Sequence, residues 1–320
     1  MGEGARTPIP TFPRKRGKGP KADNPRMPFA FLDADLDRSD DLRGDADALA
    51  RLWSNAKLIA IDAEGHALSD GDSGPRLLIA DEVENGFEHA LLLGVRGDEA
   101  WFAIDAERVA DAPEARTDLR SAAAAWPAFD ASLFAQARAM RHWRDRHRFC
   151  SVCGGENAFV RAGWLGRCTR CGAEHYPRTD PAVIVAITDG ERLLLGRQAG
   201  WPEHRYSTLA GFVEPGESLE QTIVREVREE SRVRVLRSRY LASQPWPFPG
   251  SLMLGFVAEA EPDAPVAGDE LEDARWFTRE EVGLALRGES PPGGLRLSPS
   301  ISISRWLVER WYAGESVGVG

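Results

Sequence analysis

All four cysteines of this 320-residue chain lie between residues 150 and 171, as Cys150-Ser-Val-Cys153 and Cys168-Thr-Arg-Cys171. Each pair is C-x-x-C followed by a glycine, Gly154 or Gly172. That spacing lets a tight turn aim two thiolates at one ion while backbone amides donate to the sulfurs. Two such turns complete a closed tetrahedral site, so the expected occupant is one structural Zn2+ per chain. Paired redox motifs are the competing reading, and a doubled motif at this separation favours zinc. The residues between the pairs, Phe159 to Arg167, suit a short hairpin. A ribbon of this kind also leaves nucleic-acid binding open as a function.

The length predicts two or three domains. Hydrophobic residues at 42% and charged residues at 28% are a globular composition, which excludes wholesale disorder, collagen and coiled coil. No apolar run approaches the roughly 20 residues that span a bilayer, so no membrane partner is expected. The net charge of −10 argues against a surface built to bind polyanions, although bound cations can reverse the sign of a site locally.

Residues 1–26 are rich in Pro, Gly and basic residues and have no apolar stretch, which predicts a disordered tail without an export signal and a cytoplasmic protein. Residues 27–130 carry short apolar runs (58–61, 77–80, 90–94 and 101–104) between turn residues, which predicts a β-rich domain. Asp130 reads as the cap of a connecting helix over 131–147, with Leu133, Phe134, Ala137 and Met140 on one face. The ribbon is expected over 148–176, and a last domain over 177–320.

Within that last domain, Ala182–Ile187 and Arg192–Gly196 flank Asp189-Gly190, a strand–turn–strand pattern. Gly211 and Gly216 then bracket a loop, and Ser218 can cap a helix running to about Ser231. Leu219, Ile223 and Val227 recur at helical spacing and face inward. Glu226, Glu229 and Glu230 converge on the other side, and like charges that close are destabilising unless something neutralises them. Hard divalent cations do so, since carboxylate oxygens are their preferred ligands, and a metal so held can bridge phosphates and activate water.

This segment resembles the Nudix box, G-x5-E-x7-R-E-U-x-E-E-x-G-U, at Gly211, Glu217, Arg225, Glu226, Val227, Glu229, Glu230 and Val233. Arg232 departs from it, standing where the family has a left-handed, helix-ending Gly. The resemblance implies Glu226 and Glu230 as ligands of Mg2+ or Mn2+, with Glu229 as a further ligand or the general base. It implies Glu217 and Arg225 as a structural pair and the Ala210 carbonyl as another ligand. An acidic ligand from beyond the box falls on Asp273, before Trp276-Phe277, with Glu270 and Glu272 as neighbouring alternatives.

Downstream, Ser243-Gln244-Pro245-Trp246-Pro247-Phe248-Pro249-Gly250-Ser251 makes a stiff loop bearing two aromatic rings. With a four-Cys ribbon before the box, it resembles the NADH pyrophosphatase (NudC-like) branch, over roughly residues 145–310. The implied fold is α+β and multidomain: a Nudix α/β/α sandwich with a mixed sheet, preceded by a zinc ribbon and a β-rich N-terminal domain. By that similarity Gln244 to Ser251 line the dinucleotide site, and Tyr176 and Phe212 are candidates to sandwich a base. Gly163 stands before the ribbon Trp164, where some relatives have an acidic residue.

The implied activity is metal-dependent hydrolysis of the diphosphate of NAD(H) to nicotinamide mononucleotide and AMP, with removal of NAD caps from RNA as a larger-substrate version. The implied assembly is a homodimer with composite sites. The alternatives are another nucleoside diphosphate substrate, such as ADP-ribose or a dinucleoside polyphosphate, or a non-catalytic nucleotide sensor whose ribbon binds nucleic acid.

Overall fold

The computed structural model describes residues 28–83, 86–110, 112 and 114–317; the basic tail expected over 1–26 lies outside the described residues. The first domain opens with α1 (Ala46–Trp53), β1 (Lys57–Ile61), β2 (Ala67–Leu68) and β3 (Leu77–Leu78). It continues with α2 (Gly86–His89), β4 (Leu91–Arg96), β5 (Glu99–Asp105), β6 (Arg116–Thr117), α3 (Leu119–Ala125) and α4 (Ala128–Arg146). Its sheet runs β4-β5-β1-β2-β6, with β3 also paired to β1 and a parallel β1–β5 pair.

Strand alternation divides the apolar residues of that sheet between two layers. Ile59 and Ile61 of β1 join a core with Leu133, Phe134, Ala137 and Met140 of α4, while Leu58 and Ala60 join a second core with Leu49 of α1. The helix read as a connector is therefore part of the first domain's core. It begins at Ala128, after Pro127, so Asp130 sits in its first turn and is not its cap. Pro127 accounts for the earlier start, since proline cannot continue a helix behind it but is well suited to open one.

The ribbon consists of β7 (Asn157–Val160), β8 (Leu165–Cys168) and β9 (Glu174–His175). Its hairpin tip docks on the first domain: Leu92 N donates to Ala162 O at 3.2 Å, and Trp164 Nε1 donates to Leu92 O at 2.7 Å. Gly163 is required there, because a Cβ would lie 2.7 Å from Leu91 Cδ1 and the backbone is left-handed.

The last domain contains β10 (Asp180–Thr188), β11 (Arg192–Arg197), β12 (Arg205–Tyr206), β13 (Leu209–Phe212), α5 (Leu219–Ser231), β14 (Val235–Trp246) and β15 (Ser251–Ala260). It ends with β16 (Asp273–Thr278), α6 (Arg279–Arg287), β17 (Arg296–Leu297) and α7 (Ile303–Tyr312). The mixed sheet runs β14-β15-β10-β11-β16 with β13 on β10; β10 and β15 are parallel. The apolar run of β10 is buried on both faces, as a central strand requires. Val183, Val185 and Ile187 pack with Ile223 and Val227 of α5, and Ile184 and Ala186 pack with Ile303 and Leu307 of α7. That is the α/β/α sandwich.

Two segments tie this sandwich to the first domain. Phe29 packs in the α7-side core and Phe31 in the first domain's core. From the other direction Trp246 and Phe248 pack against the first domain's core, and Arg138 of α4 donates to Pro247 O.

Candidate active site

The four cysteine sulfurs lie within 4.8 Å of one another, and none is in a disulfide. Amides of Cys171 and then Arg170, each 3.4 Å from Cys168 Sγ, pull that thiol down, while the adjacent sulfurs push Cys171 up, a mutual opposition of thiolates that a bound cation would relieve. The donor set therefore fits a closed structural zinc site. His175, which the motif reading did not single out, places Nε2 3.3 Å from Cys150 Sγ. Its position four residues after Cys171 was the available signal.

On α5, Ser218 caps the helix in a reciprocal capping box with Gln221. Arg225 sits at the centre of the loop–helix unit. Its guanidinium reaches Glu217, Glu226 Oε1 at 2.9 Å and Glu229 Oε2 at 3.1 Å, and also donates to Phe212 O. Gly211 allows β13 to pass against this cluster, since a Cβ there would lie 1.8 Å from the carboxyl carbon of Glu226.

The three helix carboxylates differ in environment. Glu229 is the most exposed, Glu226 is largely covered, and Glu230 is 5% exposed. Glu230 Oε2 is buried without a hydrogen-bond partner. Burial, then the charges of Glu226 and Glu270, push its acid up to about 8; burial also raises Glu226. A buried carboxylate oxygen with no donor, among other acids, is the electrostatic environment that a hard divalent cation would relieve. The Glu226–Glu230 region thus fits a metal of that class. Ala210, whose carbonyl was a further candidate, sits on β13 opposite Ile184.

The three acidic candidates beyond the box are separated, and Glu272 is paired with Arg197 at 2.8 Å. Asp273 opposes Arg197 in the β11–β16 ladder, and its Oδ2 accepts the hydroxyl of Tyr206. The preceding loop returns to the C-terminal end of α5, where Val266 N donates to Ser231 O and Gly268 N to Glu230 O. That return brings the charge of Glu270 to bear on both Glu226 and Glu230. Glu270, not Asp273, is the outside-box acid associated with the cluster.

A cavity of about 1240 Å³ opens between the first domain and the sandwich. Gln244 and Trp246 line it, as do Ile184, Met253 and the serines around Ile301, none of which carried a motif. Gln244 is fully buried: Nε2 donates to Ala30 O and Ile301 O, and Oε1 accepts from Ile303 N. It braces the cavity wall. Trp246 pairs with Ser251 across the β14–β15 hairpin, while Pro247 and Phe248 turn to the first domain. Pro245 and Pro249 are exposed, and Gly250 O accepts from Asp180 N. Tyr176 and Phe212 both present exposed rings, and the Tyr176 hydroxyl donates to Glu174.

The chain matches the NUDIX domain over residues 178–296, the NADH pyrophosphatase zinc ribbon domain over 145–176 and the NADH pyrophosphatase-like rudimentary NUDIX domain over 49–143. It is 40% identical over 294 residues to the NAD-capped RNA hydrolase NudC of Mycobacterium bovis, covering 87% of this chain and 93% of that protein. The NAD-capped RNA hydrolase NudC of Mycobacterium tuberculosis is 39% identical over 294 residues, with coverage of 87% and 93%. The NAD-capped RNA hydrolase NUDT12 of Homo sapiens is 40% identical over 193 residues, 57% of this chain and 42% of that protein. With its ribbon, its box helix and its rudimentary first domain all matched, this chain belongs to the NADH pyrophosphatase branch of the Nudix hydrolases.

Proposed function

We propose that the chain hydrolyses the diphosphate of NAD(H) to nicotinamide mononucleotide and AMP, and cuts the same bond in NAD-capped RNA. The observation that carries this reading is the buried, partnerless oxygen of Glu230, set among Glu226 and Glu270. Glu226, Glu230, Glu270 and the Ala210 carbonyl would hold Mg2+ or Mn2+. When bound, such ions neutralise the diphosphate and lower the pKa of an attacking water.

The chain's own groups do the rest. Arg225 holds Glu226 and Glu229 in register, and Glu217 anchors Arg225. Glu229, the most exposed of the three, is placed to accept a proton from the water. Trp246 and the wall braced by Gln244 give the dinucleotide a pre-shaped cavity lined by both apolar and polar groups.

Phe212 and Tyr176 offer exposed faces for a flat base. Neither stacks on another ring within one chain among the described residues, so a second copy would complete a base sandwich, and we propose a homodimer. No helix among the described residues is long and apolar enough to cross a membrane.

A panel of NADH, NAD, ADP-ribose and NAD-capped RNA, incubated with Mg2+ or Mn2+ and resolved by chromatography, tests the reading. Nicotinamide mononucleotide with AMP, or with 5′-monophosphorylated RNA, is the expected result. Cleavage of ADP-ribose alone, or of nothing, would overturn it.

A further inference from the structure

Two guanidinium groups line the interdomain cavity from opposite domains; Asp33 lines it too, but among the described residues neither arginine forms an ion pair. Arg205, on β12, lies against the indole of Trp201 with its guanidinium carbon 5.5 Å from the ring centroid. Its Nε is buried and makes no hydrogen bond. Arg120, on α3, stacks on Phe248 at 4.1 Å and reaches the Trp246 ring at 5.7 Å. Among the described residues neither side chain enters an ion pair or a hydrogen bond.

Other covered arginines have partners for their guanidinium groups: Arg141, Arg197 and Arg225 meet Asp105 at 3.1 Å, Glu272 at 2.8 Å and Glu217 at 2.7 Å, and Arg138 and Arg144 donate to backbone carbonyls. The half-buried guanidinium of Arg205 gains little without an anion, and its planar fork, like that of the exposed Arg120, is shaped for phosphate or carboxylate. Aromatic stacking presents such a fork to a ligand while leaving its N–H groups free.

The scissile diphosphate does not supply the missing anion. On the function proposed above, on which this inference rests, that group lies at the Glu226–Glu230 carboxylates beside Ala210. Arg205 is five residues earlier along the same run of chain, on the order of 15 Å away at the rise of an extended strand. NADH carries no second anionic group. A dinucleotide with a phosphate on its adenosine ribose does.

We infer that Arg205 and Arg120 clamp a phosphate borne on a ribose of the substrate, outside the scissile diphosphate, and so select phosphate-extended dinucleotides over NADH. The chemistry has two sources: the 3′-phosphodiester of an NAD-capped RNA and the 2′-phosphate of NADPH. Because the two arginines come from different domains, the same phosphate would also draw the cleft closed.

Steady-state hydrolysis of NADH, NADPH and an NAD-capped oligoribonucleotide by wild type, Arg205→Met, Arg205→Lys and Arg120→Met tests this. Met keeps the packing on Trp201 and removes the charge. The expected result for Arg205→Met is a KM for the capped oligonucleotide that rises relative to that for NADH on the order of tenfold or more, with kcat less affected, and partial recovery in Arg205→Lys. Arg120→Met should act in the same direction. A parallel rise for NADPH assigns the 2′-phosphate as well; a rise confined to the oligonucleotide assigns the 3′-phosphodiester. Equal KM changes for all three substrates, or none, would overturn the clamp. Failure of the wild type to cleave any of them would instead overturn the proposed function.

Discussion

The guanidinium of Arg225 grips both carboxylate oxygens of Glu217, with Nε 2.7 Å from Oε1 and Nη2 2.9 Å from Oε2. These hydrogen bonds are the main reason the Glu217 acid is held down to about 2. A folded-state value below the ordinary one means that the stability the pair contributes is fully present above about pH 4.5 and is lost as pH falls toward about 2. Glu217→Gln should therefore flatten the decline of Tm between about pH 5 and about pH 3 relative to wild type. Parallel curves would contradict the assignment. Arg225→Met should also loosen Glu226 and Glu229, with a loss of kcat of about 10- to 100-fold, as for other groups that orient metal ligands.

Gly211→Ala isolates the close approach of β13 to α5. The added methyl collides with the flexible end of Glu226, so the carboxylate is displaced while the fold can remain. The expected outcome is a loss of metal-dependent activity on the order of 10²-fold, with Tm close to wild type. Activity within a few-fold of wild type would show that the position of Glu226 is not critical.

Arg232 occupies the left-handed helix end with φ of 62°, at an exposed position. Glycine carries no Cβ penalty there, so Arg232→Gly should raise stability in urea by about 0.5–1 kcal/mol and leave hydrolysis intact. Destabilisation would mean that the unfolded-state entropy of glycine outweighs the relief of strain.

The ribbon bears on the first domain through Trp164 and Ala162 at Leu92. Cys168→Ser, or strong chelation, should release one Zn2+ per chain by elemental analysis and expose the first domain to proteolysis before the Nudix sandwich. Retention of zinc after loss of a cysteine, or no zinc in the wild type, would exclude the closed four-thiolate site.

Features set by short-range spacing were legible in the chain. The C-x-x-C turns and the Ser218 cap with Gln221 three residues on depend on neighbours in sequence, as do the short apolar runs that mark β1 and β10. Features set by long-range contact were not. Which of Asp273 and Glu270 joins the box carboxylates depends on the loop folding back through Gly268 onto Glu230 O. Whether the proline-rich loop faces substrate or protein depends on Arg138 and Phe31 of the other domain. The placement of α4 in the first domain's core follows from a sheet that pairs residues far apart, which local periodicity does not encode.

The most direct test of the account is NADH hydrolysis by wild type and Glu230→Gln under identical Mn2+, with Tm read in chelator. Glu230 is buried among acids with an oxygen that no donor reaches. Its neutral replacement should lose activity by on the order of 10³-fold while Tm in chelator stays level or rises. A Glu230→Gln enzyme that hydrolyses NADH at near the wild-type rate would contradict the account.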